Sequence, residues 1–176
     1  FSLVVWFKTN SNNLQNLVGK RDFGPTNGHQ YQFFINYTPF PGIGSNIISD
    51  ANSCPVGIAA ETSYINSGEN ICQGRWYCAV ITFDGLQHKI YINGILKQSV
   101  ASGFNSMSRC NSELRFGNWW QGDLIPYSGI MDDIRWYNRP LNEDGPRSRN
   151  LRSSPRLSEH VSFRGGIGSS SCSRLG

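Results

Sequence analysis

Short, largely apolar stretches recur along this chain and are separated by polar turn formers. Residues 2–9 (SLVVWFKT), 31–38, 57–65, 76–83 (WYCAVITF), 89–93, 95–100, 114–118 and 129–138 are rich in β-branched and aromatic side chains. Gly, Pro, Asn or Asp bound them. That is the pattern of strands with one face toward a core. Asn93-Gly94 lies between two apolar runs and predicts a two-residue hairpin, because both central positions of such a turn need positive φ. Asp84-Gly85 marks another turn. No useful length follows the helical period. Eight short, regularly spaced strands predict an all-β antiparallel two-sheet sandwich and argue against a parallel α/β sheet.

Composition narrows this reading. The 176 residues suffice for one domain and not for two sizeable cores. Aromatics at 12% against only 16% charged residues exclude a wholly disordered chain and a coiled coil. The longest apolar run, WYCAVI, is far short of the roughly 18 residues that cross a bilayer, so no membrane insertion is expected. The sequence opens on Phe1-Ser2-Leu3 without Met or leader, so the expectation is a start inside a folded unit, with any export signal upstream.

The formal charge of +4 is lopsided. Residues 146–176 hold six Arg and one acid, Glu159, together with nine Ser and four Gly. The first 145 residues hold ten basic and eleven acidic groups. Nucleic-acid binding calls for a basic ordered surface beside stacking aromatics, and the body lacks that excess, so no nucleic-acid partner is expected. The division expected is a folded domain over residues 1–144 and a disordered Arg/Ser/Gly-rich tail over 145–176 that cannot bury enough apolar surface to order itself.

Cysteines stand at 54, 72, 78, 110 and 172, with no Cys-x-x-Cys and no zinc-like spacing. Disulfides are the better expectation. Cys54 with Cys72 would staple a turn-rich segment, Cys78 inside a strand suits a free buried thiol at least as well as a bridge, and Cys172 is the natural leftover. Asn36-Tyr37-Thr38 is a glycosylation sequon, a weak signal without a known secretory host.

Three consecutive blocks, residues 74–85 (GRWYCAVITFDG), 89–96 (KIYINGIL) and 127–141 (YSGIMDDIRWYNRPL), resemble the laminin G-like, concanavalin A-like jelly-roll family, in order and spacing as well as in wording. Residues 1–9 resemble its early strand, with Trp6 before Lys8. The resemblance covers about residues 1–144 and implies a jelly roll, here expected to lack its first strand or strands and to show exposed sheet edges. It also implies a non-catalytic carbohydrate-binding or adhesion module of a larger secreted or cell-surface protein. A protein-protein interaction domain using the same loops and a glycan-cleaving enzyme of the same fold are the alternatives. After Leu141-Asn142-Glu143 the sequence turns to Pro146-Arg147-Ser148-Arg149, a shift that a changed reading frame or a linker would produce.

Candidate chemistry is sparse. Glycan cleavage on such a sandwich needs two carboxylates about 5–9.5 Å apart, hence at alternate positions of one strand, and no Glu-x-Asp or Glu-x-Glu occurs. His29, His88 and His160 neighbour no nucleophile elbow, and His29 and His88 are expected to be ordinary loop or strand-edge residues. Strict alternation over 129–138 puts Asp132 on the face of Ile134 and Trp136, toward the core, where it needs backbone N–H groups or a calcium ion as partner. Calcium is an option because some laminin G-like domains bind it. Asp133 is expected to partner Arg135. The segment Asn118-Trp119-Trp120-Gln121-Gly122-Asp123 puts two large aromatics between strands with no periodic reason. Their flat faces beside Asn118, Gln121 and Asp123 suit a sugar, whereas the plain alternative is a Trp that plugs the sandwich end. Tyr37 and Phe40, in the loop YTPFPG, form a second aromatic cluster.

Overall fold

The computed structural model describes residues 1–21, 29–37, 39–49, 62–109, 111–119 and 125–141. These form ten strands and, among the described residues, no helix. The strands are β1 (Ser2–Thr9), β2 (Gln15–Arg21), β3 (His29–Tyr37), β4 (Phe40–Ile48), β5 (Thr62–Asn66), β6 (Trp76–Phe83), β7 (Gln87–Ile92), β8 (Ile95–Ala101), β9 (Leu114–Phe116) and β10 (Gly129–Tyr137). Two antiparallel sheets result, ordered β10-β1-β6-β7-β8 and β5-β4-β3-β2-β9, and together they form an all-β sandwich consistent with a concanavalin A-like jelly roll.

Alternation builds the core. Leu3, Val5 and Phe7 of β1, Ala79 and Ile81 of β6 and Ile90 and Ile92 of β7 meet Phe33 and Ile35 of β3, Ile43 and Ile47 of β4 and Ile65 of β5 between the sheets. Full burial of such side chains contributes about 1.5–3 kcal/mol each. The first sheet is also covered outside: Val4, Cys78, Val80 and Tyr91 form a second buried cluster under Leu141. Its backbone N–H donates to Ser2 Oγ at 2.8 Å. Cys78 is a free thiol there, as its strand position suggested. Cys54 lies outside the described residues, and so does the pairing expected of it.

The expected turns hold. Asn93 and Gly94 take φ of 53° and 80°, Cys78 N–H donates to Asn93 Oδ1 at 2.9 Å, and Ile92 faces Ile95 across the hairpin. Asp84 Oδ1 accepts from the N–H groups of Leu86 and Gln87.

Two strands escaped the sequence pattern. β2 (QNLVGKR) offers only Leu17 and Val18 as apolar residues and reads as a loop, but its polar Gln15 and Asn16 are buried and hydrogen-bonded. β4 (FPGIGSNII) was masked by Pro41, Gly42 and Gly44, residues that usually end strands. Gly44 is needed for packing: a Cβ there would stand 2.5 Å from the Phe34 ring. YTPFPG is therefore a hairpin corner, with Tyr37 paired to Phe40, and not the expected free loop. Of the predicted strand 57–65, only the part from Thr62 onward is described, and the tail from 145 lies outside the described residues.

His88 departs from expectation, whereas His29 stands at the edge of a strand as expected. His88 is wholly buried in β7, its Nδ1 3.1 Å from Ser63 Oγ on the other sheet. His29 opens β3.

Candidate functional site

The outward face of the second sheet carries one continuous row of side-chain positions. Register pairs Arg115 of β9 with Gly19 of β2, Gly19 with Gln32 of β3, Gln32 with Asn46 of β4, and Asn46 with Tyr64 of β5. Residues opposite one another in antiparallel strands share a face. Phe33, Ile47 and Ile65, one position along each strand, point the other way into the core. The next row pairs Asn16, Phe34, Gly44 and Asn66.

Hydrogen bonds lock this face. Arg21 Nη1 donates to Gln32 Oε1 at 2.6 Å, Gln32 Nε2 to Asn16 Oδ1 at 3.1 Å, and Asn16 Nδ2 to the Asn118 carbonyl at 2.6 Å. His29 Nε2 stands 3.0 Å from Asn46 Oδ1.

Gly117, at φ 67°, turns the chain out of β9 and brings Asn118 and Trp119 back beside β2. Asn118 Oδ1 accepts from Trp119 N–H at 2.7 Å, and Arg115 Nη1 donates to the Trp119 carbonyl at 3.1 Å. The Arg21 guanidinium lies 5.1 Å from the Trp119 ring centroid. At the far end of the row Tyr64 stacks on Phe34 at 6.2 Å. Tyr37, 46% exposed, meets Phe34 edge-on at 5.6 Å.

The electrostatics follow from burial. Desolvation pulls Arg21 down to about 10, so it stays cationic at neutral pH. His29 falls to about 3, first by burial and then by the charge of Arg21, and remains a neutral imidazole. The middle of the row is closed to solvent, with Gly19, Gln32, Asn16 and Phe34 buried, whereas Asn46, Tyr64, Arg115 and Trp119 are half-buried and Tyr37 is exposed, so the reachable donors, acceptors and flat rings lie toward its two ends.

Asn118 and Trp119, two of the residues expected to meet a ligand, lie beside this face. Trp120, Gln121 and Asp123 lie outside the described residues. Arg21, His29, Gln32, Asn46 and Tyr64 were missed, because each looks like the ordinary polar side of a strand and only register aligns them.

Asp132 is not where strict alternation put it. A bulge sets Asp133 and Ile134 against Val5, with Asp133 at φ 48°. Met131 and Ile134 turn toward the core and Asp132 is exposed on the other side. Its Oδ1 accepts from Asp133 N–H at 2.8 Å. Asp133 pairs with Arg135 at 2.6 Å, as expected of it. Calcium takes six to eight oxygens. The described residues around Asp132 do not fit that ion, since the only acidic neighbour they bring to it is Asp133, whose Oδ1 holds Arg135. No cluster of three or more His, Cys, Asp or Glu able to hold a metal occurs among the described residues. Glu69 and Glu113 are ion-paired with Lys97 and Arg115.

The sequence profile of the concanavalin A-like lectin/glucanases superfamily (Laminin_G_3) matches residues 1–145. No curated protein matches the chain. Among solved structures, domain 4 of an extracellular arabinanase from Geobacillus stearothermophilus, in complex with arabinotriose, is similar at TM-score 0.58 and 20% identity, covering 82% of this chain and 63% of that one. The sialidase module CBM40 of Ruminococcus gnavus, bound to α2,3-sialyllactose, is similar at 0.60 and 21%, covering 81% and 77%. A pentraxin of Limulus polyphemus is similar at 0.60 and 15%, covering 82% and 66%.

Proposed function

Because the chain belongs to the concanavalin A-like lectin/glucanase superfamily, we propose that it is a non-catalytic carbohydrate-binding module, with the outer face of the second sheet as the ligand seat. The half-buried positions of the row, Arg115 beside Trp119 at one end and Asn46, held by His29, with Tyr64 at the other, carry the reading. Fixed amides and a neutral imidazole can hydrogen-bond sugar hydroxyls without first paying the cost of ordering, while the rings stack. The arabinanase domain and CBM40, named for complexes with arabinotriose and sialyllactose, support a glycan as the ligand class. We place the module outside the cell, as part of a larger secreted or surface protein, with Cys54 and Cys72 bridged.

Binding to a glycan array, followed by calorimetry on the best ligands, tests this. The native chain should bind a defined glycan set, and Asn46→Ala and Trp119→Ala should each weaken binding about tenfold or more, the equivalent of about 1.4 kcal/mol. Binding to protein ligands alone would transfer the face to protein recognition, and cleavage of a bound glycan would make it an active site.

A further inference from the structure

We propose, resting on the glycan-binding reading, that His29 is a positioning residue: it holds the Asn46 amide in one orientation, oxygen toward the imidazole and nitrogen toward the ligand, so that the seat beside Tyr64 presents a fixed donor and selects a ligand oxygen that accepts.

Strand alternation alone would point His29 the other way. It stands two residues before Tyr31, whose side chain lies in the core, and residues two apart on a strand share a face. The ladder breaks between them. Lys20 pairs with Tyr31 and the next residue, Arg21, pairs with His29, so Gln30 is one residue too many for β2. Such a bulge re-aims a side chain. The His29 ring accordingly meets the outward face, its Nε2 3.0 Å from Asn46 Oδ1.

The chemistry of this contact fixes the part each group plays. An amide oxygen only accepts, so Nε2 must carry the proton, and a neutral imidazole has one N–H to give. Burial and the charge of Arg21 keep His29 neutral. The Asn46 nitrogen is then left over. The other amides of this face are committed: Gln32 Nε2 donates to Asn16, and Asn16 Nδ2 to the Asn118 carbonyl. Asn46 Nδ2 donates to no described group and is not sealed from solvent. Asn46 is half-buried and pairs across the ladder with Tyr64, so a ligand ring packed at this aromatic end brings an oxygen within reach of that nitrogen. A donor held in place before the ligand arrives loses less freedom on binding.

Nitrogen NMR of the whole chain reads the first half of this: His29 should carry its proton on Nε2. Calorimetry with arabinotriose, α2,3-sialyllactose and a panel of neutral and acidic oligosaccharides reads the second, with thermal melting showing that each variant is folded. His29→Leu should weaken binding about tenfold. His29→Gln, whose side-chain N–H can replace that of Nε2, should recover most of the loss. Asn46→Asp keeps the shape but turns an acceptor toward the ligand, and should weaken binding about tenfold or more. A proton on Nδ1, equal losses in folded His29→Leu and His29→Gln, or native affinity in Asn46→Asp would each overturn the positioning role and leave glycan binding standing. No binding of any glycan by the native chain would overturn the underlying reading and this inference with it.

Discussion

The guanidinium of Arg21, at the end of β2, lies 5.1 Å from the ring centroid of Trp119, a residue 98 positions further along the chain. The same side chain donates to Gln32 at 2.6 Å, so one residue ties the loop after β9 to the centre of the second sheet. Arg21→Lys keeps the charge but loses the planar fork that can stack and donate together. It should cost about 1 kcal/mol in stability and weaken glycan binding severalfold. Chemical denaturation and calorimetry check both, and an unchanged affinity would remove Arg21 from the site.

The buried histidines make the fold acid-sensitive. Burial holds His88 and His29 at about 3, against an ordinary value of 6.5. Their folded values are depressed, so the contribution to stability is complete above pH 6.5 and declines as pH falls from there toward 3. Near pH 5 the unfolded chain binds one more proton per histidine, a slope of about 1.4 kcal/mol per pH unit for each. Urea midpoints should fall accordingly between pH 6.5 and 4. His88→Asn should remove about half of the dependence, and an unaltered slope would show that His88 titrates in the folded state.

Gly44→Ala should destabilise by about 1–3 kcal/mol, because the added methyl would stand 2.5 Å from a buried ring that has nowhere to retreat. Its melting midpoint should fall well below that of the native chain. An unchanged midpoint would mean that Phe34 can move and that the aromatic end of the row is not rigid.

Asp132→Asn should change stability by less than about 0.5 kcal/mol, since the side chain is exposed and the amide oxygen can still accept from Asp133 N–H. Added calcium should leave the melting of native and variant proteins unchanged. A calcium shift seen only in the native protein would assign the ion to Asp132 after all.

The strands β1, β3, β6 and β10 and the Asn93-Gly94 turn were legible in the residues, because β-branched and aromatic composition and tolerance of positive φ are local properties of the chain. Trp119 also stood out locally, as a bulky aromatic with no periodic reason to be where it is. Only the tertiary structure recovered β2 and β4, since it is partners from distant segments that bury Asn16 and demand Gly44. Tertiary pairing likewise turned Asp132 outward: one bulge opposite Val5 reverses the faces that strict alternation assigns. The row from Arg115 to Tyr64 could not be read from sequence for the same reason. Each of its residues looks like an ordinary polar strand position, and register between strands far apart in the chain decides which of them stand side by side.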